Sequence, residues 1–496
     1  MDINQLKKFE GEEAVPHAGS MIESFRSIGY NLQTAIADII DNSIAAKANN
    51  VWIDFNWCGA ETAFIITDDG LGMSERELVT SMRPGSKNPL TNRDPDDLGR
   101  FGLGLKTASF SQCRILTVAT KNKSQRIIYR AWNLDYVGET GEWKLLNYLD
   151  DISLIQRLKN CSSGTAVIWQ DIDRLVKGTV KVDEEHLEAF LEQIKQMEGH
   201  LQMVFHRFIE EGKLNIRIND TKIKAWDPYI RNNENTKLVT EYNLRDGITV
   251  KSYVLPFHSK LSKEDFDNGS WIKGWNAHQG FYVYRKSRMI ISGELLGMFK
   301  QEEHSKLARI MVNVPITVEL DKEWQFDIKK STLQLPNDVR QKLKQIAEET
   351  RKEAVEIYRQ IGKNKRKKTE KEDIPVWMPH KWNGKRCYQI NKAHPIVKGF
   401  LIDQSENKLK VNRFFRLLEE TLPLAMIVIS ESENQDNQNA PFEGKSVSDL
   451  VSLVVELYQT LINDGYTKEE ALAEILRTEP FNYYPELTES LGGTDD

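Results

Sequence analysis

Asp38-Ile39-Ile40-Asp41-Asn42-Ser43, Asp68-Asp69-Gly70-Leu71-Gly72-Met73 and Gly99-Arg100-Phe101-Gly102-Leu103-Gly104-Leu105-Lys106-Thr107 occur in this order, and their spacing decides the fold. The first stretch sits in a helical pattern over 21–48. There Ile22, Phe25, Ile28, Leu32, Ile36, Ile39 and Ile40 recur near 3.6-residue spacing, with Gly29 as a break. Asp38 and Asn42 are four apart and so share a face. A carboxamide oxygen there can coordinate a magnesium ion, which prefers hard oxygen ligands. A carboxylate beside it can orient or deprotonate a water. Asp41 is the weaker alternative, because it faces another way round the helix. The second stretch follows an apolar strand at 63–67, so Asp68 stands at a strand end, where it can accept from an amino group. The glycines let backbone pass close to a flat base. The third stretch packs glycines before a helix expected over 102–112. Backbone N–H groups at such a start favour an anion, and Lys106 and Thr107 add side-chain donors. Alone, the first stretch reads as a helix with a polar face and the second as a strand followed by a tight turn, and the third is weak evidence by itself.

Short β-rich runs at 51–57, 63–67, 115–119, 126–132 and 165–170 surround these motifs. Between them, 81–99 is rich in Gly, Pro, Asn and Asp and reads as a long mobile loop of the lid or binding kind. An α+β domain follows, with helices over one face of a mostly antiparallel sheet.

Together the three motifs resemble those of the GHKL (Bergerat-fold) ATPases, which include gyrase B subunits, MutL-type and MORC proteins. The resemblance covers about residues 20–172 and closes at Gly164-Thr165. It implies ATP and Mg2+ as ligands, with Asp38 as general base and Asn42 as metal ligand. It implies Asp68 and Thr165 on adenine. It places Gly72, Met73, Gly102 and Gly104 around the pocket, and Arg100, Phe101, Leu103, Leu105, Lys106 and Thr107 along the phosphates. Segment 81–98 takes the place of an ATP lid, from which Arg83, Ser86 and Lys87 would reach a phosphate. The family base is usually glutamate. Asp38 is one methylene shorter, and Ala45-Ala46 stands where a second acid is usual, so binding is expected more firmly than fast turnover.

Farther on, Gly280–Arg285 and the following Lys286-Ser287-Arg288-Met289-Ile290 resemble the hairpin of MutL-like and MORC-like transducer domains, which have a ribosomal protein S5-like α+β fold. The resemblance implies a transducer lysine at the terminal phosphate, and Lys329 or Lys330 is the candidate. The expected organisation is an ATP-binding domain at 1–173, a transducer-like domain at 174–336, a charged helical connector at 337–373 and a mixed, mostly helical domain at 374–496. The nearest branch is prokaryotic MORC-like or MutL-like. That likeness implies an ATP-dependent homodimer acting on DNA, in surveillance or anti-phage defence. The runner-up is an ATP-sensing scaffold with negligible hydrolysis that controls an effector protein. The stripe Leu450, Leu453, Val454, Leu457 and Leu461 reads as a dimer seam or as domain core.

The bulk numbers exclude little of this. A chain of 496 residues with 40 % hydrophobic and 28 % charged residues has ample core for roughly three domains of about 150 residues. A net charge of -6 gives no global pull toward nucleic acid, and only the run 363–368 is locally basic. The four cysteines form no CxxC pair, which fits neither a zinc site nor a disulfide framework. No stretch reads as a secretory signal or a membrane span, so a cytoplasmic location without membrane partners is expected.

Overall fold

The structure is a computed structural model that describes residues 12, 14–85, 104–123, 126–174, 182–257, 260–325, 333–364, 374–382, 385–424, 447–484 and 487. Its chain divides into two compact units, Met1–Val355 and Glu356–Asp496.

The first unit begins with two helices, Ala18–Arg26 and Leu32–Ala45. The helical pattern of 21–48 is broken where Gly29 takes φ 81°, a left-handed conformation that costs glycine little. Asn31 then caps the second helix, its side chain accepting from Thr34 N at 3.0 Å. A seven-stranded sheet follows in the order β4-β3-β5-β2-β1-β6-β7. Its strands are β1 (Asn50–Asn56), β2 (Ala63–Asp68), β3 (Ile115–Lys121), β4 (Ile128–Asn133), β5 (Gly164–Gln170), β6 (Asn215–Ile218) and β7 (Thr221–Lys222). All neighbours are antiparallel except β1 and β6, which run parallel. The last two strands lie beyond the 173/174 boundary expected from sequence. They reach the sheet through the helix Glu184–Val204, a crossover of the kind a parallel pair requires.

Ile22, Ile36, Ile39 and Ile40 from the two helices meet Val51, Ile53, Phe64, Ile66, Val118 and Val167 from the sheet in one buried core. The expected helix-on-sheet layering is thus present. Residues 184–210 form two helices, Glu184–Val204 and His206–Glu210, joined at Phe205.

A second, five-stranded sheet has the order β11-β10-β12-β9-β8. Its strands are β8 (Lys237–Asn243), β9 (Thr249–Val254), β10 (Gly280–Arg285), β11 (Arg288–Glu294) and β12 (Ala308–Val314). Alternation along β10 explains its burial on both faces. Tyr282 and Tyr284 join the first core, whereas Phe281 and Val283 join a second with Leu320, Trp324, Val339, Leu343 and Ile346. Those partners come from helices Val318–Trp324 and Asn337–Asn364. The first unit is therefore α+β throughout, as the sequence pattern implies.

The second unit holds an antiparallel pair, β13 (Trp377–Trp382) with β14 (Lys385–Ile390), and several helices. Leu450, Val454, Leu457 and Leu461 pack on Ala471, Ile475 and Phe481. The apolar stripe of that helix is thus the core of this unit. Among the described residues no helix is long and apolar enough to cross a membrane.

Candidate nucleotide site

Register brings the second motif and its partners together. Thr120 on β3 is paired with Thr165 on β5, and Thr165 with Asp68 on β2. These three side chains therefore stand on adjacent strands at one level of the sheet. Asp68 is only 7 % exposed. Its Oδ1 accepts from Gly70 N at 2.9 Å and from Thr165 N at 3.3 Å, and its Oδ2 from Ser43 Oγ at 2.9 Å. Burial pushes its carboxyl up to about 6, and the neighbouring Asp69 adds to the rise; the bonds from Gly70, Ser43 and Thr165 pull it back. A carboxylate held by fixed donors in a dry place is a strong acceptor for one more amino group.

Thr120 ties the row to the second motif. Its Oγ1 accepts from Met73 N at 2.9 Å and donates to Gly164 O at 3.0 Å. With its single proton so used, the 3.2 Å contact to Thr165 Oγ1 makes Thr165 the donor. Two glycines permit the close backbone approach. A Cβ on Gly72, at φ 69°, would stand 2.1 Å from Lys121 O. One on Gly164, at φ 153°, would stand 2.0 Å from Asp68 O. Asp69 has a different task, accepting at 2.8 Å from both Asn49 N and Asn50 N and so anchoring the start of β1.

Asp38 is 5 % exposed. Its Oδ2 accepts from Tyr30 Oη at 2.8 Å. A Cβ on Gly104 would lie 3.4 Å from the same oxygen, so the third motif's helix, Gly104–Phe110, starts against this carboxylate. Asn42 is exposed, and its amide nitrogen donates to Asp38 O at 3.0 Å. The carboxamide oxygen is then the end left for a hard cation. Lys106 and Thr107 are buried: Lys106 Nζ donates to Ser81 O at 2.8 Å, and Thr107 Oγ1 lies 3.5 Å from Gly104 O. Met73 and Leu105 are half-buried against the main core.

Asp38, Asn42, Asp68, Gly72, Met73, Gly104, Leu105, Lys106, Thr107 and Thr165 thus fall on one connected group of elements. Ser86, Lys87, Arg100, Phe101, Gly102, Leu103, Lys329 and Lys330 lie outside the described residues, as do most of the lid segment and part of the basic run 363–368. Tyr30, Ser43 and Thr120 were not singled out in the sequence. Ser43 closes the first motif as an ordinary polar residue, and only the packing of its helix beside β2 sets it against Asp68; Tyr30 and Thr120 carry no local signal at all. Asp41 is also buried, and its Oδ1 accepts from Arg288 Nε at 3.0 Å.

Residues 30–165 match the family described as histidine kinase-, DNA gyrase B-, and HSP90-like ATPase. ATPase morc-1 of Caenorhabditis elegans is 34 % identical over 88 residues, 18 % of this chain and 10 % of that protein. The chain therefore matches about a tenth of the length of this curated relative. Among solved structures, the ATPase and transducer domains of DNA topoisomerase II from Balamuthia mandrillaris align over 67 % of this chain and 86 % of that one. The TM-score is 0.36 and the identity 11 %.

Proposed function

Residues 30–165 of this chain form a GHKL-type domain of the histidine kinase-, DNA gyrase B- and HSP90-like ATPase family, and from that premise we propose that the protein binds ATP with Mg2+ here and hydrolyses it. The observation that carries the reading is the buried Asp68 carboxylate, fixed by Ser43, Gly70 and Thr165 at the end of β2. It suits the exocyclic amino group of adenine, with the Thr165 hydroxyl beside it. The residues fit the group: Gly72 and Gly164 let backbone close tightly around the row of Asp68, Thr165 and Thr120 that would meet the base, and Asn42 offers a hard oxygen for magnesium. Magnesium, when bound, would draw negative charge from the phosphates. Asp38 would hold the attacking water and take its proton. Gly102, Gly104 and the neighbouring backbone would cradle phosphate, joined by Ser86, Lys87, Arg100 and Lys106 and by Lys329 or Lys330.

ATP-driven dimerisation, an action on DNA and a defence role belong to the same proposal, supported by the family likeness alone. The alternative, an ATP sensor with negligible turnover and an effector partner, draws on one specific observation. The short Asp38 side chain already accepts from Tyr30, which holds it back from a water and slows base catalysis.

Base selectivity tests the proposal. Adenine presents an amino donor where guanine presents a carbonyl acceptor. A site built around a buried acceptor rejects the wrong partner strongly, so calorimetric titration should show ATP binding on the order of 10²-fold or more tighter than GTP. Equal affinities would sink the adenine assignment.

A further inference from the structure

The helix Leu32–Ala45 carries two buried carboxylates with separate partners. Asp38 meets Tyr30, whereas Asp41 meets Arg288, the first residue of β11 in the second sheet. Both members of the Arg288–Asp41 pair are nearly closed to solvent, with side chains 6 % and 2 % exposed. The guanidinium lies 4.5 Å over the Phe205 ring, and its Nη1 donates to Met289 O at 2.7 Å. His200 sits beside the pair, pushed down to about 3 by burial and by the charges of Arg288 and Lys273. It is therefore neutral at ordinary pH.

The other side of the same turn is held equally firmly. Lys286 takes φ 59° between β10 and β11. Just before it, Arg285 grips Asp321 of helix Val318–Trp324 in a two-point contact, Nε to Oδ1 at 3.1 Å and Nη2 to Oδ2 at 2.5 Å. One tight hairpin thus holds the Asp38 helix with one arginine and a helix of the second sheet's core with another.

A buried ion pair does not slide. Parting it strands buried charge, which is costlier than moving both partners together. A shift of the hairpin must therefore carry the Asp38 helix with it. We propose that the Arg288–Asp41 pair is a strut through which the second sheet sets the position of Asp38, making Arg288 a positioning residue for hydrolysis. The inference rests on the ATPase reading above.

The test uses the full chain and measures kcat, ATP affinity and the thermal midpoint for wild type, Arg288→Met, Arg288→Lys and the double variant Asp41→Asn with Arg288→Met. Displacement of a reacting group by about 1 Å costs up to roughly 10²-fold in rate. Arg288→Met should therefore lose about 10- to 100-fold in kcat while ATP affinity stays within about threefold. Arg288→Lys should recover part of the loss. The double variant removes both charges of the pair and so decides the matter where the single variant does not fold. It should show the same loss of about 10- to 100-fold in kcat relative to wild type, because it breaks the same contact. Unchanged kcat in a folded variant, or a fall that only tracks ATP affinity, overturns the strut. A wild-type chain that neither binds nor hydrolyses ATP refutes instead the reading on which the strut rests, and is seen before any variant is made.

Discussion

Asp68→Asn should stabilise the ligand-free protein while weakening ATP binding. Burial raises the Asp68 carboxyl from 3.8 to about 6. The difference, about 6 minus 3.8, is about 2.2, and at about 1.4 kcal/mol for each it makes the folded ionised form about 3 kcal/mol less favourable than the neutral one. Asparagine keeps the shape. Its oxygen can still accept from Gly70 N and Thr165 N, and its amide can donate to Ser43 Oγ after the hydroxyl turns. The sign follows from proton linkage. Between pH 3.8 and about 6 the folded wild type binds more protons than the unfolded chain, so its stability falls as pH rises through that window. The advantage of Asp68→Asn should therefore be greatest above pH 6, at about 1–3 kcal/mol, and vanish toward pH 4. Urea unfolding from pH 4 to pH 8 measures it, followed through the tryptophans of the first unit. ATP affinity should fall on the order of 10- to 100-fold, because an amide NH2 now faces the adenine amino group. An asparagine variant that is less stable at pH 7.5, or that binds ATP as wild type does, would refute the reasoning.

Gly72→Ala should abolish ATP binding, since its Cβ would stand 2.1 Å from Lys121 O at a φ of 69°; a titration showing wild-type affinity would contradict the close-approach argument. Thr120→Val should cost about 1–3 kcal/mol of stability, because Met73 N and Gly164 O lose a buried partner; thermal melts check it. Chelation of Mg2+ should weaken ATP binding in wild type and much less in Asn42→Ala. A similar loss in both would remove Asn42 from the metal.

What the sequence made legible is local. Asp38 and Asn42 four apart on a helix, and Asp68 at a strand end, are set by periodicities within one element, and both stand as the pattern implies. The glycine break at Gly29 is legible for the same reason. What stayed hidden depends on register and distance. β6 and β7 have four and two residues, too few for an alternation to show, so their addition to the first sheet leaves no trace in the pattern. Thr120 acquires its role only because β3 pairs with β5 in the register that sets it opposite Thr165. Arg288 and Asp41 are 247 positions apart, and nothing local to either residue foretells the other. The stripe from Leu450 to Leu461 was ambiguous by periodicity alone, since a seam and a core look alike until Ala471, Ile475 and Phe481 are seen to cover it.

The most direct test is ATP turnover by the purified full chain with Mg2+, with and without double-stranded DNA, beside Asp38→Ala. The account predicts slow hydrolysis in wild type, faster with DNA, and a loss of about 10²-fold or more in the variant while ATP still binds. Hydrolysis undiminished in Asp38→Ala would contradict the assignment of the base. ATP binding without turnover in either protein would contradict the ATPase claim and leave the sensor reading in its place.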